Sequence, residues 1–93
     1  MAAHAVRVVV SGRVQGVGYR AWVSRQAGER RLRGWVRNRR DGTVEAVFVG
    51  AEEAVAGMVE ACREGPSMAK VAEVMVDDWT GPALEGFEEL PTG

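Results

Sequence analysis

The pattern of apolar, polar and glycine positions divides the first part of the chain into a strand, a turn and a helix. Residues 5–13 are rich in β-branched side chains and are bounded by glycine, which is typical of a strand. The glycine-rich stretch that follows predicts a turn. Residues 20–32 place Trp22, Val23 and Ala27 on one side and arginines on the other, which predicts a helix.

The middle of the chain predicts a β-hairpin and a second helix. Residues 34–39 and 43–50 are predicted strands joined by an Arg-Asp-Gly turn, because Asp-Gly between alternating segments is a strong hairpin signal. Residues 51–64 carry apolar side chains at the i, i+3, i+4, i+7 spacing of an amphipathic helix. These apolar residues are Val55, Met58, Val59 and Cys62.

The last part of the chain predicts one clear strand at residues 69–77. The three-residue step from Val71 to Val74 breaks the two-residue period and indicates a bulge. Residues 80–93 are poorly patterned and leave room for one short edge strand around Phe87. The order β-α-β-β-α-β predicts an α+β, ferredoxin-like fold, an α/β sandwich in which two helices cover one face of an antiparallel sheet.

This topology predicts where a ligand site would lie. The first and second strands are joined through a helix and point the same way, so their carboxyl ends meet at one edge of the sheet. The turn after residue 13 and the end of the second strand, near Asn38, are therefore expected to be neighbours. Ligand sites favour such crevices in βα units.

Length and composition indicate one ordinary globular domain. In 93 residues two independent cores would each be too small, so residues 1–93 are predicted to form a single domain. With 46% hydrophobic and 27% charged residues the chain has neither a run long enough to span a bilayer nor a signal-peptide pattern. Cys62 is the only cysteine and cannot form an internal disulfide, which favours a cytoplasmic location. We expect a monomer.

Charge is distributed unevenly along the chain. Residues 1–45 hold ten arginines and three acidic residues, whereas residues 46–93 hold two basic and ten acidic residues. A basic half attracts anionic ligands, either nucleic acid or something smaller. A solvated surface with complementary charges explains the same distribution, so the two interpretations stay open at this point.

Residues 12–20 form a glycine-rich segment between the first strand and the first helix. Its three glycines allow successive N–H groups to converge into a concave anion site at the helix N-terminus. Arg20 in the first helical turn is disfavoured by the helix dipole. An anion between the turn and the planar guanidinium would resolve that conflict. A plain strand-to-helix turn with a surface arginine is the alternative.

Other chemical motifs are better explained without a function. Residues 16–21 match the dinucleotide pattern G-x-G-x-x-A, but that fold requires a doubly wound parallel sheet, and Asp41 is explained by the hairpin turn. His4 is predicted to be a surface residue, and Cys62 falls on the apolar stripe of the second helix as a buried structural thiol. No Cys/His cluster has metal-ligand spacing.

Two longer motifs resemble the signatures of the acylphosphatase family. The first covers residues 12–20 (GRVQGVGYR) and the second covers residues 34–45 (GWVRNRRDGTVE). Residues 65–71 also resemble the family's approach to its last main strand, and the similarity runs from about Val6 to Val76.

The resemblance implies an enzyme that hydrolyses acyl phosphates to a carboxylate and inorganic phosphate without a metal or organic cofactor. The Arg20 guanidinium would hold the phosphoryl group, and the Asn38 side chain would position the attacking water. Inorganic phosphate would be both product and inhibitor. The phosphoryl oxygens would be bound by the backbone amides of Gln15, Gly16, Val17, Gly18, Tyr19 and Arg20.

Three features depart from the family pattern. Arg30 stands where an apolar helix residue is expected, and Arg31 stands where glycine or asparagine usually ends the helix. A left-handed conformation at Arg31 would carry strain. Residues 80–93 lack the usual apolar final strand. These departures concern local stability rather than the chemistry.

Two other functions are compatible with the same fold, a non-catalytic anion-binding module and an RNA-binding module. RNA-recognition domains of this type stack bases on aromatic residues of the open sheet face. The predicted outward positions are Val9, Ser11, Glu45, Val47 and Val49, none of them aromatic. The residues predicted to pack instead are Tyr19, Trp22, Trp35 and Trp79. We therefore predict neither a nucleic-acid nor a membrane partner.

Overall fold

The computed structural model describes residues 3–82 and 84–93 and confirms the predicted order of strands and helices. A short fifth strand lies near the end of the chain. The elements are β1 (Ala3–Arg13), α1 (Tyr19–Glu29), β2 (Arg33–Asn38), β3 (Val44–Ala51), α2 (Glu52–Glu64), β4 (Lys70–Asp78) and β5 (Phe87–Glu89). Within these ranges neither helix has the length and apolar character that crossing a membrane requires.

The five strands form one sheet in the order β4-β1-β3-β2-β5. Strands β1 to β4 pair antiparallel, as predicted for a ferredoxin-like fold, whereas β5 pairs parallel to β2 and makes the sheet mixed. Both β1 and β2 run antiparallel to β3, which lies between them. They therefore point the same way and end at the same edge of the sheet.

The hydrophobic core lies between the sheet and the two helices. Strand β1 buries every second residue, as expected for a strand with one face against the core. The buried strand residues are Val6, Val8, Val10, Val36, Val44, Ala46 and Phe48, and the helices add Tyr19, Val23, Ala27, Val55, Met58 and Cys62. The two helices also contact each other, so both cover the same face.

Cys62 is buried, as predicted, and is not suited to act as a nucleophile. Burial raises the pKa of its thiol to about 12. Its backbone carbonyl accepts a hydrogen bond of 2.7 Å from the Tyr19 hydroxyl. Tyr19 is only 1% exposed, which confirms its predicted packing role and ties the start of α1 to α2.

The bulge predicted in the last main strand is present opposite the end of β1. The β1–β4 register passes from Ser11–Glu73 to Gly12–Val71, which leaves Ala72 as the additional residue. A Cβ at Gly12 would lie 2.2 Å from the Lys70 carbonyl oxygen, so this close approach requires glycine. The bulge therefore lies at the point where β1 gives way to the glycine-rich turn.

Helix α1 ends three residues earlier than predicted, in a Schellman turn. Arg31 has a φ of 56°, the left-handed conformation in which the sequence predicted strain. Its N–H bonds to the Gly28 carbonyl at 3.1 Å, and the Leu32 N–H bonds to the Ala27 carbonyl at 2.9 Å. These bonds satisfy the carbonyls at the helix end and turn the buried Leu32 toward the core.

Replacing Arg31 by glycine is expected to raise the free energy of unfolding by roughly 1 kcal/mol, because glycine lacks the Cβ that makes this conformation costly. Chemical denaturation measures the change. The matched variant Arg31→Ala removes the same charge but keeps the Cβ and should show no such gain. An equal gain in both variants would assign the effect to charge and contradict the backbone explanation.

The outward face of the sheet is occupied by contacts within the protein. Trp35 lies on this face and Trp79 packs against it edge-on, with ring centroids 6.2 Å apart. Arg37 lies 5.2 Å above the Trp35 ring and bonds to Glu45 at 2.7 Å. Neither Trp35 nor Trp79 was among the predicted outward residues, so the expectation that no aromatic side chain lies on this face is wrong, although the packing roles predicted for both rings are confirmed. Since these rings and charges already have partners, the arrangement disfavours base stacking.

Glu45 is almost completely buried on this face, with 4% of its surface exposed. Burial alone raises the pKa of its carboxyl, but hydrogen bonds from Arg37 and Arg7 outweigh burial and hold that pKa below its usual value. The carboxylate therefore stays ionised between the two arginines and neutralises part of the basic charge of this half of the chain.

Candidate active site

A pocket of ≈ 170 Å³ opens at the edge of the sheet where β1 and β2 end. Its walls come from the glycine-rich turn, the first turn of α1, the last residue of β2 and the short strand β5. The lining residues are Val14, Gly16, Gly18, Tyr19, Arg20, Ala21, Asn38 and Glu89. This confirms the prediction that the glycine turn and the end of β2 are neighbours.

The N-terminus of α1 supplies backbone N–H groups to this pocket. Gly16 and Gly18 have φ values of 75° and 77°, the left-handed region that a residue with a side chain adopts only at a cost. The helix opens with the Trp22 N–H bonding to the Gly18 carbonyl at 3.0 Å. The amides of Tyr19 and Arg20 precede that bond, so they have no partner within the helix and are available to an anion.

The Arg20 side chain is half-buried at the wall of the pocket. One of its nitrogens, Nη1, donates a 3.3 Å hydrogen bond to the Leu90 carbonyl, which lies just after β5. A guanidinium has five N–H donors, so this bond leaves others for a ligand. The first turn of α1 contains no acidic residue, and an anion in the pocket would balance both the arginine and the helix dipole.

Asn38 is the last residue of β2 and lies on the side of the sheet that faces the helices. It shares that side with Val36, which is completely buried. Its backbone is held by its pairing with Val44 across the hairpin and by the Gly93 N–H, which donates to its carbonyl at 3.0 Å. The side chain lines the pocket together with Arg20.

Comparison with known proteins agrees with this geometry. A sequence model of the acylphosphatase family matches residues 6–89. The chain belongs to the acylphosphatase family. An acylphosphatase of Azorhizobium caulinodans is 59% identical over 92 residues, which cover 96% of this chain and 97% of that protein. The earlier resemblance is therefore confirmed, and the relatives carry the name of an enzyme.

Solved structures of acylphosphatases have the same fold. The acylphosphatase of Coxiella burnetii superimposes with a TM-score of 0.90 at 34% identity and covers 95% of this chain and 93% of its own. That of Bacillus subtilis superimposes with a TM-score of 0.88 at 39% identity and covers 92% and 97%, respectively. The ferredoxin-like prediction is confirmed by these neighbours.

Not every residue of the predicted amide cradle lines the pocket in this acylphosphatase-family chain. Gly16, Gly18, Tyr19 and Arg20 do, whereas Gln15 and Val17 do not. Val17 packs against the hydrophobic core. The Gln15 side chain extends instead toward the β2–β3 hairpin.

Two contributions to the pocket come from the tail, where sequence analysis allowed one short edge strand around Phe87 but predicted no site residue. Glu89 lines the pocket, and the Leu90 carbonyl contacts Arg20. Strand β5 reaches this position because Phe87 stacks on Phe48 with ring centroids 5.9 Å apart. The Leu90 N–H also bonds to the Val36 carbonyl at 2.8 Å. The sequence signal for this placement is weak, since Phe87 is the single aromatic residue in an unpatterned tail.

The remaining reactive side chains lie away from the pocket. His4 is exposed on β1, as predicted, and does not line this pocket. Among residues 3–82 and 84–93 no group of three or more His, Cys, Asp and Glu side chains is placed to hold a metal ion. The pocket thus offers backbone amides, one guanidinium, one carboxamide and the Glu89 carboxylate.

Proposed function

We propose that this acylphosphatase-family chain hydrolyses acyl phosphates through attack of a water molecule on phosphorus, with no metal ion. The observation that carries the proposal is the meeting of three groups in one pocket: the unpaired amides at the start of α1, the Arg20 guanidinium and the Asn38 carboxamide. This reaction requires donors that bind the anionic phosphoryl group and a neutral group that forms a hydrogen bond to the water.

The chemistry explains why so few groups suffice. Water forms a new bond to phosphorus while the bond from phosphorus to the acyl oxygen breaks, and its electron pair leaves with the carboxylate. A carboxylate is a good leaving group and needs no proton from the protein. Phosphoryl transfer is loose, so the water loses its proton late, to the phosphate product or to solvent. Catalysis therefore rests on positioning and charge stabilisation.

Each proposed group has one part in this reaction. The pocket-lining amides of the turn and the start of α1, from Gly16, Gly18, Tyr19 and Arg20, bind the phosphoryl oxygens. The Arg20 guanidinium binds the same group and stabilises the charge that develops on it in the transition state. The Asn38 side-chain oxygen accepts a hydrogen bond from the water and holds it in line with the leaving oxygen. Inorganic phosphate, the product, competes for the same donors and is expected to inhibit.

We propose that residues 1–93 form a single domain, because one hydrophobic core lies between the sheet and both helices, and that the protein works as a monomer. The buried, protonated Cys62 thiol is consistent with the proposed cytoplasmic location, where thiols are kept reduced.

The purified protein should hydrolyse benzoyl phosphate at an undiminished rate in excess chelator and should barely act on the monoester p-nitrophenyl phosphate. In water enriched in oxygen-18 the label should appear in inorganic phosphate and not in benzoate, because the water attacks phosphorus. Added phosphate should inhibit competitively.

Label found in benzoate would contradict attack on phosphorus, and loss of activity in chelator would contradict the metal-free mechanism. Phosphate binding without any hydrolysis would favour the non-catalytic anion-binding alternative.

A further inference from the structure

The Gln15 side chain connects the glycine-rich turn to the β2–β3 hairpin. Its amide nitrogen, Nε2, donates hydrogen bonds to the Arg39 carbonyl at 2.7 Å and to the Thr43 carbonyl at 2.8 Å. A carboxamide nitrogen has two donors, and both are used here. The side chain is partly buried, and its partners lie 24 and 28 residues further along the chain.

The two carbonyls belong to the two ends of the hairpin turn. The Arg39 N–H bonds to the Thr43 carbonyl at 2.8 Å, and the Gly42 N–H bonds to the Arg39 carbonyl at 3.2 Å. Gln15 therefore adds two side-chain hydrogen bonds to a turn that is already closed by two backbone bonds. Arg39 follows Asn38 directly, so this contact lies one residue from the side chain proposed to hold the water.

Within the part of the chain that the structure describes, no strand pairing joins the glycine-rich turn to the β2–β3 hairpin. The ladder between β1 and β3 ends at the pair Val10–Val44, and beyond it β1 continues along β4 alone. The ladder between β2 and β3 ends at Asn38–Val44. Gln15 lies five residues beyond Val10, on the segment that carries the amides of the pocket, and its side chain bridges the gap that the ladders leave.

We propose that Gln15 is a positioning residue that sets the distance between the phosphoryl-binding turn and Asn38. The inference rests on the proposed function, in which the turn holds the phosphoryl group and Asn38 the water. The two lie on different elements, and the in-line approach of water requires a fixed separation between them. The side-chain carboxamide of Gln15 fixes this separation through its two hydrogen bonds to the hairpin. In this role the side chain does not contact the substrate.

The chemistry of the site explains why glutamine is suited to it. The two carbonyl oxygens require two N–H donors at the end of one side chain, and the glutamine carboxamide supplies both. A glutamate of equal length would place a carboxylate against two carbonyl oxygens. A methionine would keep the length and lose both donors, leaving the turn and hairpin free to shift relative to each other.

The test compares Gln15→Met with the wild type and with Gln26→Met. Gln26 is the other glutamine of the chain; it is partly buried on α1, pairs with Arg30 and does not line the pocket. For Gln15→Met, kcat for benzoyl phosphate should fall about 10- to 100-fold, the range expected when a reacting group is misplaced by about 1 Å. The dissociation constant of inorganic phosphate should stay within about twofold, because Arg20 and the helix amides are unchanged. Gln26→Met should retain kcat.

A double-mutant cycle separates positioning from a general structural role. If Gln15 acts through Asn38, Gln15→Met should cost little further kcat once Asn38→Ala is present. Additive losses, or a parallel loss of phosphate affinity, would assign Gln15 a structural role and overturn the inference. An unchanged kcat in Gln15→Met would also overturn the inference about Gln15. In that case, a lowered kcat in the Asn38 and Arg20 variants would still support the proposed function.

The measurements are made on folded protein, and phosphate binding reports that the pocket is intact. Should Gln15→Met fail to fold, Gln15→Asn allows the same comparison, because it keeps the amide but shortens it by one methylene. It should show the same loss of kcat with phosphate affinity retained; wild-type kcat in that variant would overturn the proposal. If neither the Gln15 variants nor Asn38→Ala lowers kcat, the proposed function itself is rejected.

Discussion

Replacing Arg20 by lysine should lower kcat/KM for benzoyl phosphate by about 10³-fold, within the range of arginines that stabilise phosphoryl transfer. Lysine keeps the charge but loses the planar pair of donors that can bind two phosphoryl oxygens at once. Both ground-state binding and transition-state stabilisation should suffer, so KM should rise and kcat should fall. Steady-state kinetics with benzoyl phosphate measures both.

The protein should remain folded in this variant, since the Arg20 side chain is only partly buried and its 3.3 Å bond to the Leu90 carbonyl is a single peripheral contact. Arg25→Lys is the matched control, because Arg25 is exposed on the same helix and does not line the pocket. It should retain activity. Because both substitutions keep the charge of the helix, equal losses in the two variants would contradict a specific role for the Arg20 guanidinium.

Replacing Asn38 by alanine should lower kcat by roughly 10²- to 10³-fold, the cost expected for removing one preorganised hydrogen-bonding group at a reaction centre. Because the proposed partner of Asn38 is the water and not the phosphoryl group, KM and the inhibition constant of phosphate should change little. A selective loss of kcat identifies an interaction made in the transition state. Kinetics with benzoyl phosphate, with phosphate as inhibitor, distinguishes the two effects.

Arg40→Ala is the control for this substitution, since Arg40 is exposed in the neighbouring hairpin turn and does not line the pocket. It should keep wild-type kcat. Near-normal turnover in Asn38→Ala would contradict the role assigned to this side chain, whatever the behaviour of Arg20.

Local pattern predicted much of this fold, because several independent signals agree. The β-branched composition of residues 5–13 placed β1, and a single break in the two-residue period of the last main strand located the bulge opposite Gly12. Arg31, the unusual residue at the end of the first helix, indicated the left-handed conformation that the structure contains. Topology then brought the turn carrying Arg20 next to Asn38, which is a consequence of two strands running the same way.

Sequence analysis allowed a short edge strand around Phe87, which the structure contains, but the part that the tail plays in the pocket could not be predicted, for a physical reason. Strand β5 is three residues long, and its place is fixed by the stacking of Phe87 on Phe48 and by its parallel pairing with β2. Such long-range contacts leave almost no local period to recognise. The position of Glu89 in the pocket and the contact of Leu90 with Arg20 follow from them, so neither could be predicted.

The role of the Gln15 side chain could not be predicted from the sequence, for a different reason. The sequence identified this residue only by its backbone amide, as one member of an anion-binding turn. Its side-chain partners are carbonyl groups of the hairpin, which carry no residue-specific signal. Only the folded backbone shows that two of them converge on one amide nitrogen.

In the proposed mechanism Arg20 and the glycine-rich turn bind the phosphoryl group, while Asn38 positions the attacking water. Calorimetric titration of inorganic phosphate into Arg20→Lys and Asn38→Ala tests it most directly. The predicted result is a loss of affinity of about tenfold or more in Arg20→Lys, as expected for charge-assisted hydrogen bonds, and a Kd within about twofold of wild type in Asn38→Ala. Equal losses in the two variants, or a loss confined to Asn38→Ala, would contradict the assignment.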